Sequence, residues 1–179
     1  MRITGGELRG RIIKGSIAGR PSLMRVKHGV FSVLYSINAL AQLNFVVDLY
    51  CGSGAYGIES ISRGAKKVYF VDRSYKSIRT LKENINSLKI AQNRFEIFKS
   101  DVFKWAQLHK DIDFDLAFID PPYSSCSFSE LLTILKANTV VIESEKEINF
   151  VPEDYIKLVN KQYGGTLVTI FKRKDSTNG

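Results

Sequence analysis

The strongest constraint on this chain is a rhythm that begins near residue 44, where short apolar runs of strand character alternate with segments of helical spacing. Phe45 to Leu49, Lys67 to Val71, Phe95 to Lys99, Leu116 to Ile119 and Thr139 to Ile142 read as strands. Between the first two, a segment runs to Arg63 and is closed by Gly64, a residue suited to a helix C-cap. Ser74 to Leu88 repeats Ile78, Leu81, Ile85 and Leu88 on one helical face, and Val102 to Leu108 and Phe128 to Leu135 predict shorter helices. Tyr155 to Tyr163 and Thr166 to Phe171, joined by Gly164-Gly165, predict an antiparallel pair. Such alternation predicts an α/β doubly wound sheet whose ligands sit at the carboxyl ends of its strands. With 179 residues the chain has material for one such core.

The first of those strands runs into Asp48-Leu49-Tyr50-Cys51-Gly52-Ser53-Gly54-Ala55-Tyr56-Gly57, a GxGxxG pattern at a strand-to-helix junction. Glycines there let the backbone turn sharply and approach a ligand closely, and the helix that follows offers free N–H groups. A dinucleotide would lay its pyrophosphate on such a loop. S-adenosylmethionine would instead present an ammonium group, for which Asp48 is a suitable carboxylate. A tight turn with a satisfied Asp48 is the plain alternative. Asp72 closes the second strand, where a carboxylate can accept both ribose hydroxyls of either cofactor. Asp101 follows the third strand and serves equally as an adenine acceptor or a helix N-cap.

Asp120-Pro121-Pro122-Tyr123 follows the strand Leu116 to Ile119 and is more specific. Two prolines fix φ and remove two donors, so nearby carbonyls become rigid acceptors. A carboxylate beside such a carbonyl suits an exocyclic NH2 group, and the neighbouring aromatic ring can stack on a base drawn out of its helix. Bonds to both amine protons localise the nitrogen lone pair and aim it at an electrophilic methyl. A prolyl turn carrying a surface Tyr is the structural alternative.

The formal charge is +8, from 26 Lys and Arg against 18 Asp and Glu, and it is unevenly placed. Residues 1 to 30 carry Arg2, Arg9, Arg11, Lys14, Arg20, Arg25 and Lys27 against Glu7 alone, a net +6. A polyanionic partner is implied, either nucleic acid or an acidic membrane surface. Gly5-Gly6 between short extended runs predicts a hairpin presenting Arg9 and Arg11 on one side of a strand. Ser22 is placed to cap a helix to about Ile37, with Val26, Val30, Val33, Leu34 and Ile37 on its apolar face and Arg25 and Lys27 off it. No apolar stretch approaches a membrane span or an export signal, which predicts a cytoplasmic protein that is neither secreted nor membrane-inserted. Two cysteines, Cys51 and Cys126, fit a reducing compartment, and two histidines, His28 and His109, leave a metal site short of ligands.

These motifs together resemble the S-adenosylmethionine-dependent amino methyltransferases. More narrowly, the chain resembles the bacterial RsmD-type family, which methylates N2 of a guanine in small-subunit (16S) ribosomal RNA. The resemblance rests on Arg2-Ile3-Thr4-Gly5-Gly6 with Gly10-Arg11, Arg20-Pro21-Ser22, Arg25-Val26, Gly52-Ser53-Gly54-Ala55, Gly57-Ile58-Glu59 and Ser62-Arg63-Gly64-Ala65. Asp120 to Tyr123, Ile142-Glu143-Ser144-Glu145 and Tyr163-Gly164-Gly165-Thr166 extend it along essentially the whole chain.

The resemblance implies a class I methyltransferase fold, a Rossmann-like seven-stranded sheet with a terminal antiparallel hairpin, preceded by an N-terminal β-hairpin. It further implies an RNA-binding extension over residues 1–37 and a catalytic domain over 38–179. S-adenosylmethionine would be held by Asp48, Tyr50, Gly52, Ser53, Gly54, Asp72, Arg73, Asp101 and Val102. Asp120, Pro121, Pro122 and Tyr123 would be catalytic, and Arg9, Arg11, Lys14, Arg20 and Arg25 would grip RNA. The implied partner is 16S rRNA or a small-subunit assembly intermediate, with the protein acting as a monomer. Three positions depart from the family pattern: Met24 stands where an acidic residue is common, His28 where Glu is usual, and Ser22 where Thr is usual. Methylation of another amine (adenine N6 or a protein glutamine), a non-catalytic RNA-binding scaffold and a nicotinamide oxidoreductase are the alternatives. The last leaves Asp120 to Tyr123 and the basic N-terminus unused.

Overall fold

The structure is a computed structural model that describes residues 1–15, 21–122 and 126–174. Seven strands form one sheet: β1 (Phe45–Leu49), β2 (Lys67–Asp72), β3 (Phe95–Lys99), β4 (Asp113–Ile119), β5 (Lys136–Ser144), β6 (Tyr155–Tyr163) and β7 (Thr166–Arg173). Their order across the sheet is β3-β2-β1-β4-β5-β7-β6. The first five are parallel; β7 runs antiparallel to β5 and to β6. This is the seven-stranded arrangement with a terminal antiparallel pair that the family resemblance implied. β1 lies at the switch point, since the chain winds outward through β2 and β3 and then returns to its other side at β4. In such a sheet the crevice above the switch point is where ligands bind.

Among the described residues five α-helices cover the two faces: α1 (Pro21–Ser36), α2 (Ala55–Ser62), α3 (Tyr75–Leu88), α4 (Val102–Leu108) and α5 (Phe128–Ile134). Alternate strand residues feed opposite cores, as the two-residue period of a strand requires. Val46, Phe118 and Val141 pack with Val30 and Phe31 of α1, Ile58 of α2 and Leu81 of α3, whereas Val47, Ile119 and Ile142 pack with Trp105 of α4 and Leu131 of α5. Burial on both faces explains the unbroken Val, Ile and Phe runs in the sequence. Ser74 caps α3 by accepting from the Ser77 N–H at 3.3 Å, and Ile78, Leu81, Ile85 and Leu88 are its buried apolar side chains.

The amino-terminal segment differs from the predicted hairpin. A single antiparallel bridge joins Arg2 to Ile12, and the reversal spans residues 5–10 instead of turning at two glycines, so Arg9 lies in the turn. The glycines answer a docking need. A side chain at Gly5 would strike the Arg63 guanidinium and one at Gly6 the Ser62 carbonyl, where α2 ends, and Gly6 has φ 77°. Ile3 and Ile13 are buried in the same core as Val46 and Ile58. α1 starts at Pro21, a residue favoured in the first turn, so Ser22 lies inside the helix rather than capping it. Lys27, placed off the apolar face by the sequence pattern, is nevertheless buried. It is 1% exposed, its Nζ 2.9 Å from Glu59 Oε2 on α2 and 3.0 Å from the Arg2 carbonyl.

Candidate active site

The cleft at the carboxyl edge is built from strand ends. Asp48 sits one residue before the end of β1, 2% exposed, and its Oδ2 accepts the Gly57 N–H at 2.8 Å. That bond ties β1 to the first turn of α2. The intervening loop holds three residues in left-handed backbone, Tyr50 (φ 59°), Gly52 (φ 54°) and Gly54 (φ 82°). The glycines there do different work. A Cβ on Gly54 would collide with Leu81 and one on Gly57 with the Phe70 ring, so both permit close helix–sheet packing. At Gly52 an added Cβ would meet nothing nearer than the Tyr50 carbonyl at 4.0 Å, so this glycine faces open space.

Asp72, at the end of β2, reaches across to this loop. Its Oδ2 accepts the Gly52 N–H at 2.9 Å, and its Oδ1 accepts the Ser74 N–H at 2.8 Å. Asp101 follows β3 and is the N-cap of α4, accepting from the Lys104 N–H at 3.1 Å. Asp101 and Val102 line a cleft with Tyr50, Arg73, Pro121 and Pro122. The Tyr50 hydroxyl and the Cys126 sulfur lie 3.5 Å apart across it. The Ser53 carbonyl faces the other way, accepting from Asn84 Nδ2 at 2.9 Å.

Asp120 stands at the end of β4 with a face open to solvent, and Pro121 and Pro122 follow it into the cleft wall. Tyr123 lies outside the described residues, as does Arg20. β4 and β5 pair with Ile119 opposite Ile142, which puts Glu143 beside Asp120 at the next step. Glu143 is 7% exposed and accepts a hydrogen bond from the Tyr56 hydroxyl. The Tyr56 ring is stacked on Phe118 at 4.6 Å between centroids, which fixes the direction of that bond.

Crowding of carboxylates governs the electrostatics. Burial, with Asp120, Asp72 and Glu143 nearby, holds the Asp48 carboxyl well above the usual range against the opposing Gly57 N–H. Burial and the neighbouring Asp120 push Glu143 up to about 8, and Asp120 itself is pushed up to about 6 by desolvation. Among the described residues no Lys or Arg forms an ion pair with Asp48, Asp120 or Glu143. Carboxyls whose protons are held this tightly ionise when a cation arrives beside them and gain nothing from a pyrophosphate, so Asp48, Asp120 and Glu143 favour a cation. The sulfonium and ammonium groups of S-adenosylmethionine therefore fit these acceptors better than the pyrophosphate of a nicotinamide dinucleotide does.

Sequence reasoning assigned no role to Tyr56, Glu143, Glu59 or Asn84, although the first three lie in the motifs quoted above. Glu59 is fully buried and accepts from the Thr4 and Gly5 N–H groups, the Thr4 hydroxyl, Lys27 and Arg63. Asn84 binds both the N–H and the carbonyl of Lys14 as well as Ser53, so the basic segment abuts the glycine loop. A signal was available for Glu59 and Glu143, each an acidic residue within an apolar run of a core element. Arg9, Arg11, Lys14 and Arg25 are exposed, with the Arg11 guanidinium 3.1 Å from the Ser87 carbonyl.

Comparison with known proteins agrees with this geometry. The model of the family described as "Conserved hypothetical protein 95" matches residues 1–172. YlbH of Bacillus subtilis (strain 168) is 31% identical, across 97% of this chain and 100% of its own. The Haemophilus influenzae protein named ribosomal RNA small subunit methyltransferase D is 29% identical, across 92% of this chain and 89% of its own. Among solved structures, yhhF of Escherichia coli superposes with a TM-score of 0.83 at 24% identity, covering 97% of this chain and 98% of that one.

Proposed function

The chain belongs to the conserved hypothetical protein 95 family, the RsmD-type S-adenosylmethionine-dependent rRNA methyltransferases, and we propose that the group it methylates is the exocyclic N2 amine of a guanine in 16S ribosomal RNA. The observation that carries this reading is Asp120 beside Pro121 and Pro122 at the end of β4, neighboured by the carboxyls of Asp48 and Glu143, none of the three in an ion pair among the described residues. That arrangement suits an uncharged amine approaching a cationic methyl donor.

S-adenosylmethionine, when bound, supplies the electrophilic methyl group. Asp48, Asp72 and the backbone at Gly52 to Gly54 would hold it, with Arg73, Asp101 and Val102 along the cleft. Asp120 and the Pro121 carbonyl each accept a hydrogen bond from one amine N–H, which withdraws the nitrogen lone pair from conjugation and aims it. Asp120 need not be a strong base beforehand, because the nitrogen becomes acidic once alkylated, and the carboxylate is placed to take that proton. Tyr123 is assigned the stacking contact with the base. Arg9, Arg11, Lys14, Arg20 and Arg25 grip phosphates, which contributes salt-dependent affinity with little sequence information. The substrate is 16S rRNA or a small-subunit assembly intermediate, and the protein acts as a monomer.

The deciding experiment transfers tritium from labelled cofactor onto ribosomal RNA of a strain deleted for this protein and maps the modified base. Label on guanine N2, with Asp120→Ala reducing transfer at least about 100-fold on the scale of lost transition-state contacts, supports the reading. Label on an adenine, or near-normal transfer by Asp120→Ala, overturns it.

A further inference from the structure

The strand order restricts the path of the nucleic acid. The cleft walls assigned to the cofactor come from the ends of β1, β2 and β3 together with Pro121 and Pro122 after β4. A base reaching Asp120 must therefore approach over the other half of the sheet, formed by β5, β7 and β6. The turn Gly164-Gly165 between β6 and β7 stands at that same carboxyl edge, since Ser144 at the end of β5 pairs with Leu167 just after it. α1 packs on β6 and β7 there.

Between α1 and the end of β6 lies a second cleft of about 480 Å³, within the roughly 300–1,000 Å³ range of ligand sites. Arg25 and His28 from α1 and Lys161 from β6 are exposed around it, and none of its described lining residues carries a carboxylate. Met24 and His28 both line it. Among the described residues the side chains of Arg25 and Lys161 make no ion pair. Lys161 Nζ lies 5.2 Å from the centre of the Tyr163 ring. Tyr163 in turn packs so closely on Gly29 that a side chain there would collide with its hydroxyl. The lysine thus stands over an anchored ring in the lining it shares with Arg25, two cations suited to successive phosphates.

We propose that this cleft takes the phosphodiester backbone of the RNA strand flanking the target base, with Lys161 and His28 joining Arg25 as contacts. The inference rests on the ribosomal RNA reading above and extends it: the RNA grip is divided between the amino-terminal segment and the carboxyl-terminal hairpin.

The test measures affinity for small-subunit rRNA as a function of salt for Lys161→Gln, with Lys110→Gln as a control at the opposite edge of the sheet. Lys161→Gln should weaken rRNA binding about threefold to tenfold and lower the log–log salt slope by about 0.7 to 0.9, the loss of one phosphate contact. Its affinity for S-adenosylmethionine and its melting temperature should match the unaltered protein, and Lys110→Gln should change neither RNA parameter. If the two variants bind RNA alike while the unaltered protein methylates it, the cleft assignment is wrong and the functional reading stands. If the unaltered protein neither binds nor methylates rRNA, both fall.

Discussion

Lys27 Nζ and Glu59 Oε2 lie 2.9 Å apart in an interior where their side chains are 2% and 0% exposed. Burial would raise the Glu59 carboxyl, but Lys27 and Thr4 outweigh it and hold it below the usual range; burial lowers the Lys27 amine despite Glu59. Glu59 thus joins the first residues of the chain to both α1 and α2. Removing it with Glu59→Ala strands a buried ammonium and several N–H donors, and should cost about 3–5 kcal/mol. Chemical denaturation is the check, and Glu59→Gln should lose less.

Gly52 and Gly57 should respond oppositely to alanine. Gly57→Ala drives a methyl into Phe70 and disturbs the N–H that Asp48 accepts, so a stability loss of about 1–3 kcal/mol is expected. Gly52→Ala meets no neighbour and should lose only the roughly 1 kcal/mol of left-handed strain while weakening cofactor binding. Melting curves beside calorimetric titration with S-adenosylmethionine separate the two.

Stability without cofactor should depend on pH through the carboxylate cleft. Glu143 rises from 4.5 to about 8 and Asp120 from 3.8 to about 6, so the folded state binds protons more tightly than the unfolded one. Stability then falls as pH rises from about 4 toward 8. Glu143→Gln should flatten the fall between about 6 and 8, read as melting temperature against pH. Glu59 has the opposite sign: its contribution is present above its ordinary value of 4.5 and is lost as pH drops further.

Asn84 is fully buried and bridges Lys14 to Ser53, so the basic segment and the glycine loop share a support. Asn84→Ala should lower stability by about 1–3 kcal/mol through its unpaired partners and weaken cofactor affinity as well. Arg9→Gln, in an exposed turn, should weaken RNA binding alone. Equal effects of both variants on cofactor binding would contradict this division.

The sequence by itself determined the elements and the motif positions, because those depend on neighbours in the chain. The spacing of Ile78, Leu81, Ile85 and Leu88 defines α3 without reference to the sheet, and β1, β3 and α4 begin and end where their apolar runs do. Glycine at 52 and two prolines after Asp120 likewise carry their constraint in their own covalent structure. Tertiary structure decided what those residues meet. Asp48, Asp120 and Glu143 crowd one cleft only because β1, β4 and β5 are neighbours in the order β3-β2-β1-β4-β5-β7-β6. The hydrogen bond between Tyr56 and Glu143 spans 87 residues. Lys27 counts toward a basic amino terminus in the sequence, yet it ends in the core, where a carboxylate from another helix compensates it. Local periodicity carries no information about such pairings, whose cost and compensation arise only when the sheet closes the distance.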